Sequence, residues 1–275
     1  MQIHQKMHLS RVFSVVWSHR RQAVVGLALL GLLALFAIGC GADTPQNTFD
    51  TKGEVAERQK DLFLIAMWPA LAIMIAILGG TVLILIRFRR RSENDIPKQT
   101  HGNTTLELAW TIAPAILLFG LGIPMVAALW EIGRDPSPDA FQVNVEGQRF
   151  LWKFEYPELL DESGDPVVTF SEVNVPAGRE VALHLTSIDV IHSFWVPKLA
   201  GKLDAIPGRT QTMWLRADEP GSFSGQCAEF CGLNHADMRL VMHALPVEDF
   251  EAWVDEVTGG GSSASAAGVG GDSGG

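Results

Sequence analysis

Basic residues are scarce in this chain. Its 275 residues hold 21 Lys and Arg against 31 Asp and Glu, a formal net charge of −10. Phosphate contacts need clustered Lys and Arg, so nucleic-acid binding by the chain as a whole is excluded. Cysteine is scarce too: three residues cannot build a disulfide scaffold, though they are enough for a metal site. No internal repeat is seen. Charge of either sign is missing altogether from three stretches, residues 22–42, 62–86 and 108–130. These stretches account for a mean hydropathy of +0.17, high for a purely soluble protein.

About 20 consecutive apolar residues cross a bilayer as a helix. The second and third stretches, 25 and 23 residues long, meet that length and read as membrane spans rather than buried core helices. The first has a different character. Arg20-Arg21 precedes it and Ala37-Ile38-Gly39-Cys40 ends it, which gives a basic start, an apolar middle and a small-residue cleavage region. Residues 1–40 thus read as an export signal. Lipidation at Cys40, ordinary cleavage and a retained helix all stay open. Between the other two stretches lies Arg87-Phe88-Arg89-Arg90-Arg91, followed by Lys98, and clustered Arg stays on the cytoplasmic side. The two ends of the hairpin, and everything after it, then lie outside. Residues 41–60 form an exported N-terminal segment, 61–132 a hairpin, 133–257 an exported domain and 258–275 a disordered Gly/Ser/Ala tail. Pro69, Pro114 and Pro124 within the spans suggest packing against partner helices that compensate for the lost backbone bonds.

The exported part alternates in the manner of strands at 141–145, 180–185 and 211–215. Turn signals separate these runs, as in Glu162-Ser163-Gly164-Asp165 and Ile206-Pro207-Gly208. Short strands and regular turns predict a β-sandwich or barrel. Phe250, Trp253, Val254 and Val257 share one face of a short helix predicted at 247–257. Residues 131–257 carry 22 acids against 9 bases, a balance of −13, which favours a cationic partner outside the membrane.

The chemistry lies in Cys227-Ala228-Glu229-Phe230-Cys231-Gly232-Leu233-Asn234-His235-Ala236-Asp237-Met238, with His192 upstream. Thiolates and a thioether select soft ions such as copper, and imidazole suits copper as well. One thiolate with two imidazoles and a weak thioether describes a mononuclear blue-copper site. Two thiolates can bridge two copper ions, each with one His, leaving Met238 and a backbone carbonyl for the remaining positions. A Cys227–Cys231 disulfide would not explain His235 and Met238, and zinc would prefer Cys and His without Met.

Over residues 45–257 the sequence resembles subunit II of haem–copper cytochrome c oxidase, which carries the binuclear CuA centre. The resemblance lies in the cysteine motif, in Asp189-Val190-Ile191-His192-Ser193-Phe194-Trp195-Val196-Pro197, in Lys202-Leu203-Asp204-Ala205-Ile206-Pro207-Gly208-Arg209 and in the two-span hairpin. It implies a membrane-anchored all-β protein: a two-helix transmembrane hairpin followed by an exported cupredoxin-like Greek-key β-barrel. The setting it implies is the bacterial inner membrane, with the copper domain on the outer face. It assigns His192, Cys227, Cys231, His235 and Met238 as copper ligands, together with the Glu229 backbone carbonyl. The Glu229 side chain would face a magnesium ion at the junction with subunit I. The haem is held by that partner, and subunit III is a further neighbour. Cytochrome c, or another exported donor, would supply electrons for the reduction of oxygen in subunit I, coupled to proton translocation.

Other positions follow from the same resemblance. Glu107 matches an acid at the mouth of a proton channel, although an acid there also suits a helix N-terminus. Asp189 matches an acid on the donor-docking face, although it could equally cap the turn that follows it. The family's aromatic cluster reads Gly147-Gln148-Arg149-Phe150-Leu151-Trp152-Lys153-Phe154-Glu155-Tyr156-Pro157 here, with Arg149 where Gln is expected and Phe150 where Trp is expected. Phe150 and Trp152 are the expected points of electron arrival, and Phe154 and Tyr156 are expected to be core.

Three competing functions differ in what they require. A nitrous oxide reductase needs a second, histidine-rich copper cluster, and the exported part has only His184, His192, His235 and His243. A quinol oxidase subunit II keeps the fold without the copper ligands, all of which are present here. A membrane-tethered copper chaperone needs an exchangeable site and no packing partner for a proline-bearing hairpin.

Overall fold

The computed structural model describes residues 44–92, 99 and 101–259, with Gly26, Leu27 and Gly31 before them. Apart from those three residues, the expected signal segment 1–40 lies outside the described residues. So do Cys40, Lys98 and the tail beyond Gly259.

Over the described residues from Thr44 on, two long helices come first, α1 (Glu54–Arg87) and α2 (Thr104–Ile132), of 34 and 29 residues. At 1.5 Å per residue they are roughly 50 and 44 Å long, more than the ~30 Å hydrocarbon core of a bilayer. Both are long and apolar enough to cross a membrane. Most of their apolar side chains, such as Ile86, Phe119 and Trp130, are exposed, the buried exceptions being Val55, Ala56 and Ala128. In water such a surface would be costly; in lipid it is the expected one. Asn103 caps α2, its side chain accepting from the N–H groups of Thr105 and Leu106.

Helix α1 begins at Glu54, about two turns before the apolar run at Leu62. The absence of charge locates only the part of a helix that meets lipid. The extra turns, carrying Glu54, Glu57, Arg58 and Lys60, rise out of the apolar zone onto the β domain. Val55 and Ala56 are buried there, and the Ala56 N–H donates to the Leu199 carbonyl at 3.2 Å. Gly53 enters this seam where no side chain fits: a methyl group would stand 2.5 Å from the Arg216 carbonyl oxygen and 2.8 Å from that of Leu199. The end of α2 is tied down as well, by the Trp214 indole N–H donating to the Ile132 carbonyl at 3.0 Å.

Ten strands follow: β1 (Phe141–Gln148), β2 (Leu151–Leu160), β3 (Pro166–Phe170), β4 (Glu172–Pro176), β5 (Val181–Ser187), β6 (His192–Trp195), β7 (Leu203–Ala205), β8 (Gln211–Leu215), β9 (Gly221–Cys227) and β10 (Arg239–Leu245). They form two five-stranded sheets, ordered β3-β2-β1-β5-β8 and β4-β10-β9-β6-β7. The pairs β1–β5 and β4–β10 are parallel and the other pairs antiparallel. Alternate residues face inward, among them Val143 and Val145 of β1 and Trp152, Phe154 and Tyr156 of β2, so the core lies between the sheets. The chain changes sheet at Ser171, whose N–H donates to Trp152 in one sheet at 2.8 Å and whose carbonyl accepts from Val241 in the other at 2.9 Å. Helix α3 (Val247–Val257) closes one end, placing Phe250 5.3 Å from Phe141 and Trp253 5.1 Å from Tyr156, ring centre to ring centre.

Candidate metal centre

Strand β6 and the loop from β9 to β10 supply the donors. The Phe194↔Cys227 pairing fixes β6 against β9, and the Ala228 N–H donates to the Ser193 carbonyl at 2.9 Å. Within the loop, a 3-10 turn (His235–Asp237) brings His235 back toward Cys231. The two sulfur atoms of Cys227 and Cys231 lie 3.9 Å apart, far beyond the ~2.05 Å of a disulfide. Cys227 Sγ is 3.8 Å from His192 Nδ1 and 3.2 Å from the Glu229 carbonyl oxygen. Cys231 Sγ is 3.6 Å from His235 Nδ1 and 3.8 Å from Met238 Sδ. Each sulfur thus has one imidazole nitrogen, and the carbonyl and the thioether stand at opposite thiols.

Four of the side-chain donors are buried, and the fifth, His235, is half-buried. His192 and Met238 have no exposed surface, and Cys227 and Cys231 keep only 3% and 5%. Burial first, and then the neighbouring Cys227, push the Cys231 thiol up to about 11. Two thiolates in so enclosed a space are stable only beside a cation. The donor set of two thiols, two imidazoles, a thioether and a carbonyl is the soft set that suits copper.

Asp189 orients His192. Its Oδ1 accepts from His192 Nε2 at 2.9 Å, which puts the ring proton on Nε2 and leaves the Nδ1 lone pair toward Cys227. The same carboxylate accepts from the Arg149 N–H at 2.9 Å, from Arg149 Nε at 3.2 Å and from the Val190 N–H at 2.6 Å. Burial acts to raise the Asp189 carboxyl, but the hydrogen bonds from His192, Arg149 and Val190 more than offset it and hold the group well below the usual carboxylate range. Asp189 therefore does cap its own turn, through the Val190 N–H, while the cation that pairs with its charge comes from the turn between β1 and β2.

A glycine on β1 makes room for the ring. A methyl group on Gly147 would stand 2.9 Å from His192 Cδ2 and 3.1 Å from Cγ. Neither Gly147 nor the Arg149–Asp189 pair was identified as part of a metal site from sequence. The adjacency of Gly147 to β6 is set by sheet order, which no local pattern reveals.

The two expected points of electron arrival fall in different environments. Trp152 is wholly enclosed, its ring 5.9 Å from that of His192 and 5.6 Å from that of Phe194, and its indole N–H has no hydrogen-bond partner among the described residues. Phe150 is half-buried, and its ring would lie 3.2 Å from a methyl group on Gly232, next to Cys231. Trp152 lines the core side of the site and Phe150 its outer side. Phe154 and Tyr156 are core, as expected.

Glu229 turns its side chain away from the sulfur atoms. It is 46% exposed and 3.9 Å from Lys202 Nζ, beside Gly201, which rests against Gln59 of α1. Glu107 sits in the first turn of α2, exposed, at the end of the hairpin remote from the β domain.

Residues 45–127 match the family described as "Cytochrome C oxidase subunit II, transmembrane domain", and residues 165–245 match "Cytochrome C oxidase subunit II, periplasmic domain". The chain is 38% identical over 232 residues to cytochrome c oxidase subunit 2 of Alkalihalophilus pseudofirmus, covering 82% of this chain and 66% of the relative. It is 35% identical to cytochrome c oxidase subunit 2 of Bacillus subtilis, covering 84% and 67%. It is also 34% identical to quinol oxidase subunit 2 of Bacillus cereus, covering 84% and 79%. The chain therefore spans about two thirds of the length of the two cytochrome c oxidase relatives.

Proposed function

Because the chain belongs to the cytochrome c oxidase subunit II family, we propose that it is the electron-accepting subunit of a respiratory haem–copper oxidase. The observation that carries this reading is the convergence of His192, Cys227, Glu229 carbonyl, Cys231, His235 and Met238 at separations of 3.2–3.9 Å. These residues would hold the two copper ions of a CuA centre, which when bound supplies a reversible one-electron carrier. A subunit serving quinol has no need of such a set, so the complete donor set favours the copper-bearing branch over the quinol oxidases.

The chain's own residues divide the remaining work. The enclosed walls made by Trp152, Phe194 and Met238 exclude water. Asp189 holds the imidazole of His192 with its Nδ1 free. Phe150, half-buried against Gly232, is where electrons arrive, and Trp152 forms the inner wall instead. Asp189 attracts a donor weakly, since its charge is already neutralised locally. The acidic excess of residues 131–257 acts on a cationic cytochrome c, or another exported donor, as a diffuse field. Glu229 offers a carboxylate for magnesium on the side that meets subunit I, where the haems and oxygen reduction reside. Glu107 sits at the cytoplasmic mouth of a proton path. Subunit III completes the assembly.

The domain division follows. Residues 41–60 are exported, 61–132 form a multi-pass anchor in the bacterial inner membrane, and 133–257 form the copper domain on the outer face.

The test is purification of the full chain from membranes, with metal analysis and low-temperature EPR. Two copper ions sharing one unpaired electron are expected. One copper, zinc, or a Cys227–Cys231 disulfide would overturn the reading. For electron arrival, Phe150→Ala should slow transfer from the donor while the EPR signal stays intact; an unchanged rate would remove Phe150 from that role.

A further inference from the structure

We infer that Arg149 is a positioning residue for the copper ligand His192, acting through Asp189, and that it raises the reduction potential of the centre. The inference rests on the assignment of His192 as a copper ligand.

Arg149 stands on the tight turn between β1 and β2, half-exposed, and touches both sources of ligands. Its N–H and Nε hold Asp189 Oδ2 at 2.9 and 3.2 Å, while Oδ1 of the same carboxylate holds His192 Nε2 at 2.9 Å. Its stem lies over the cysteine loop, with Cδ 3.7 Å from where a methyl group on Gly232 would be. An exposed ion pair ordinarily does little for stability, and the Arg149 side chain is 49% exposed. What sets this pair apart is the third member, a wholly buried imidazole on the other carboxylate oxygen.

A carboxylate that accepts the N–H of an imidazole makes the opposite ring nitrogen a stronger electron donor. The more negative charge that Oδ1 carries, the stronger that donation becomes. The guanidinium draws charge toward Oδ2 and so weakens it. A donor at Nδ1 favours the oxidised metal, so weakening it narrows that preference and the potential rises. The direct field of the cation acts in the same direction, so removal of Arg149 alone cannot separate the two routes.

A double-mutant cycle can. The full chain is loaded with copper in detergent, and copper content, EPR signal and midpoint potential are measured for Arg149→Gln, Arg149→Lys, Asp189→Asn and the Arg149→Gln/Asp189→Asn pair. Arg149→Gln is expected to keep its copper and to accept an electron with an equilibrium constant about tenfold lower, ~59 mV for a one-electron couple. Arg149→Lys, which keeps the charge, restores most of that shift. In the Asp189→Asn background the Arg149→Gln shift shrinks to a small part of its size. An unchanged potential in copper-loaded Arg149→Gln overturns the inference. So does an equal shift in both backgrounds, which would mean that the field acts directly. Loss of copper alike from Arg149→Gln and Arg149→Lys would make Arg149 a structural clamp and nothing more. A wild-type chain that takes up no copper would instead overturn the ligand assignment, and the inference with it.

Discussion

The position of His192 depends on an absence, the missing side chain at Gly147. A methyl group there would approach His192 Cδ2 to 2.9 Å, Cγ to 3.1 Å and Cβ to 3.2 Å. Carbon atoms in favourable contact sit about 3.5–4.0 Å apart, so the ring must retreat by roughly 0.6 Å. It has nowhere to go, being wholly buried and held by Asp189 at 2.9 Å. Overpacking of this kind costs about 1–3 kcal/mol. A smaller opposing gain of about 0.4–1 kcal/mol comes from the lower entropy of the unfolded chain, since Gly147 does not have a positive φ. The single variant therefore mixes two effects. The cycle with His192→Ala separates them, because the two closest contacts, with Cδ2 and Cγ, exist only while the ring is there, and the looser one at 3.2 Å to Cβ remains in both backgrounds. In urea unfolding of the metal-free full chain, the cost of Gly147→Ala should fall by about 1–3 kcal/mol when His192 is alanine. Copper affinity of the single variant should drop by roughly 10–100-fold, as for other changes that disturb a ligand's orientation. An equal cost of Gly147→Ala in both backgrounds would refute the steric argument.

Two further outcomes follow from the seam between hairpin and domain. Gly53→Ala puts a methyl group between two main-chain carbonyls that cannot yield, those of Arg216 and Leu199, and should cost about 1–3 kcal/mol; faster trypsin cleavage at Lys52 or Arg58 would show the seam opening, and an unaltered digestion pattern would count against it. Glu180 is held below its ordinary range by the Arg134 hydrogen bonds at 2.7 and 3.0 Å, aided by the Ser137 N–H. Its contribution is therefore present above the unfolded carboxylate range, about pH 4.3, and is lost as pH falls through the lower folded value. Glu180→Gln should flatten the loss of stability on acidification in that window, and an unchanged acid limb would contradict the assignment.

What could be read from the sequence was what repeats at short range. The apolar runs marked two helices because lipid excludes charge along the whole of a span. The alternation at 141–145 marked β1 because one face of that strand is core, whereas the run at 211–215 marked β8 although its last two residues, Trp214 and Leu215, are both buried. Helix α3 showed itself through the spacing of Phe250, Trp253 and Val254. The cysteine loop was legible because five of its donors lie within twelve residues. What escaped is what depends on sheet order. That β1 runs parallel beside β5, bringing Gly147 and the Arg149 turn to the segment between β5 and β6, cannot be inferred from either strand alone. The docking of Glu54–Lys60 also escaped, because charged helical turns look the same whether they meet water or another domain. Trp152 and Phe150 were grouped through the resemblance of the aromatic cluster, which does not say where each ring points. The turn between β1 and β2 lies just before Leu151, so Phe150 stays in the turn and Trp152 points into the core.

The same sheet order explains why the centre suits a carrier that must change charge without changing shape. The loop from Cys227 to Met238 is closed at its base, where the Cys227 N–H donates to the Met238 carbonyl at 2.9 Å, and the β9–β10 ladder continues beyond it. Five donors are thus confined to one closed loop. The sixth, His192, comes from outside it, yet β6 pairs with β9 at Phe194↔Cys227, so the ladder that closes the loop also sets its height. Its lateral position is bounded by Gly147 on one side and Asp189 on the other. His192 in particular cannot shift without forcing its buried ring toward Gly147 or giving up the Asp189 hydrogen bond. If the site holds copper as proposed, a frame of this kind would present much the same donor positions to either oxidation state, so an arriving electron would have little protein structure to rearrange.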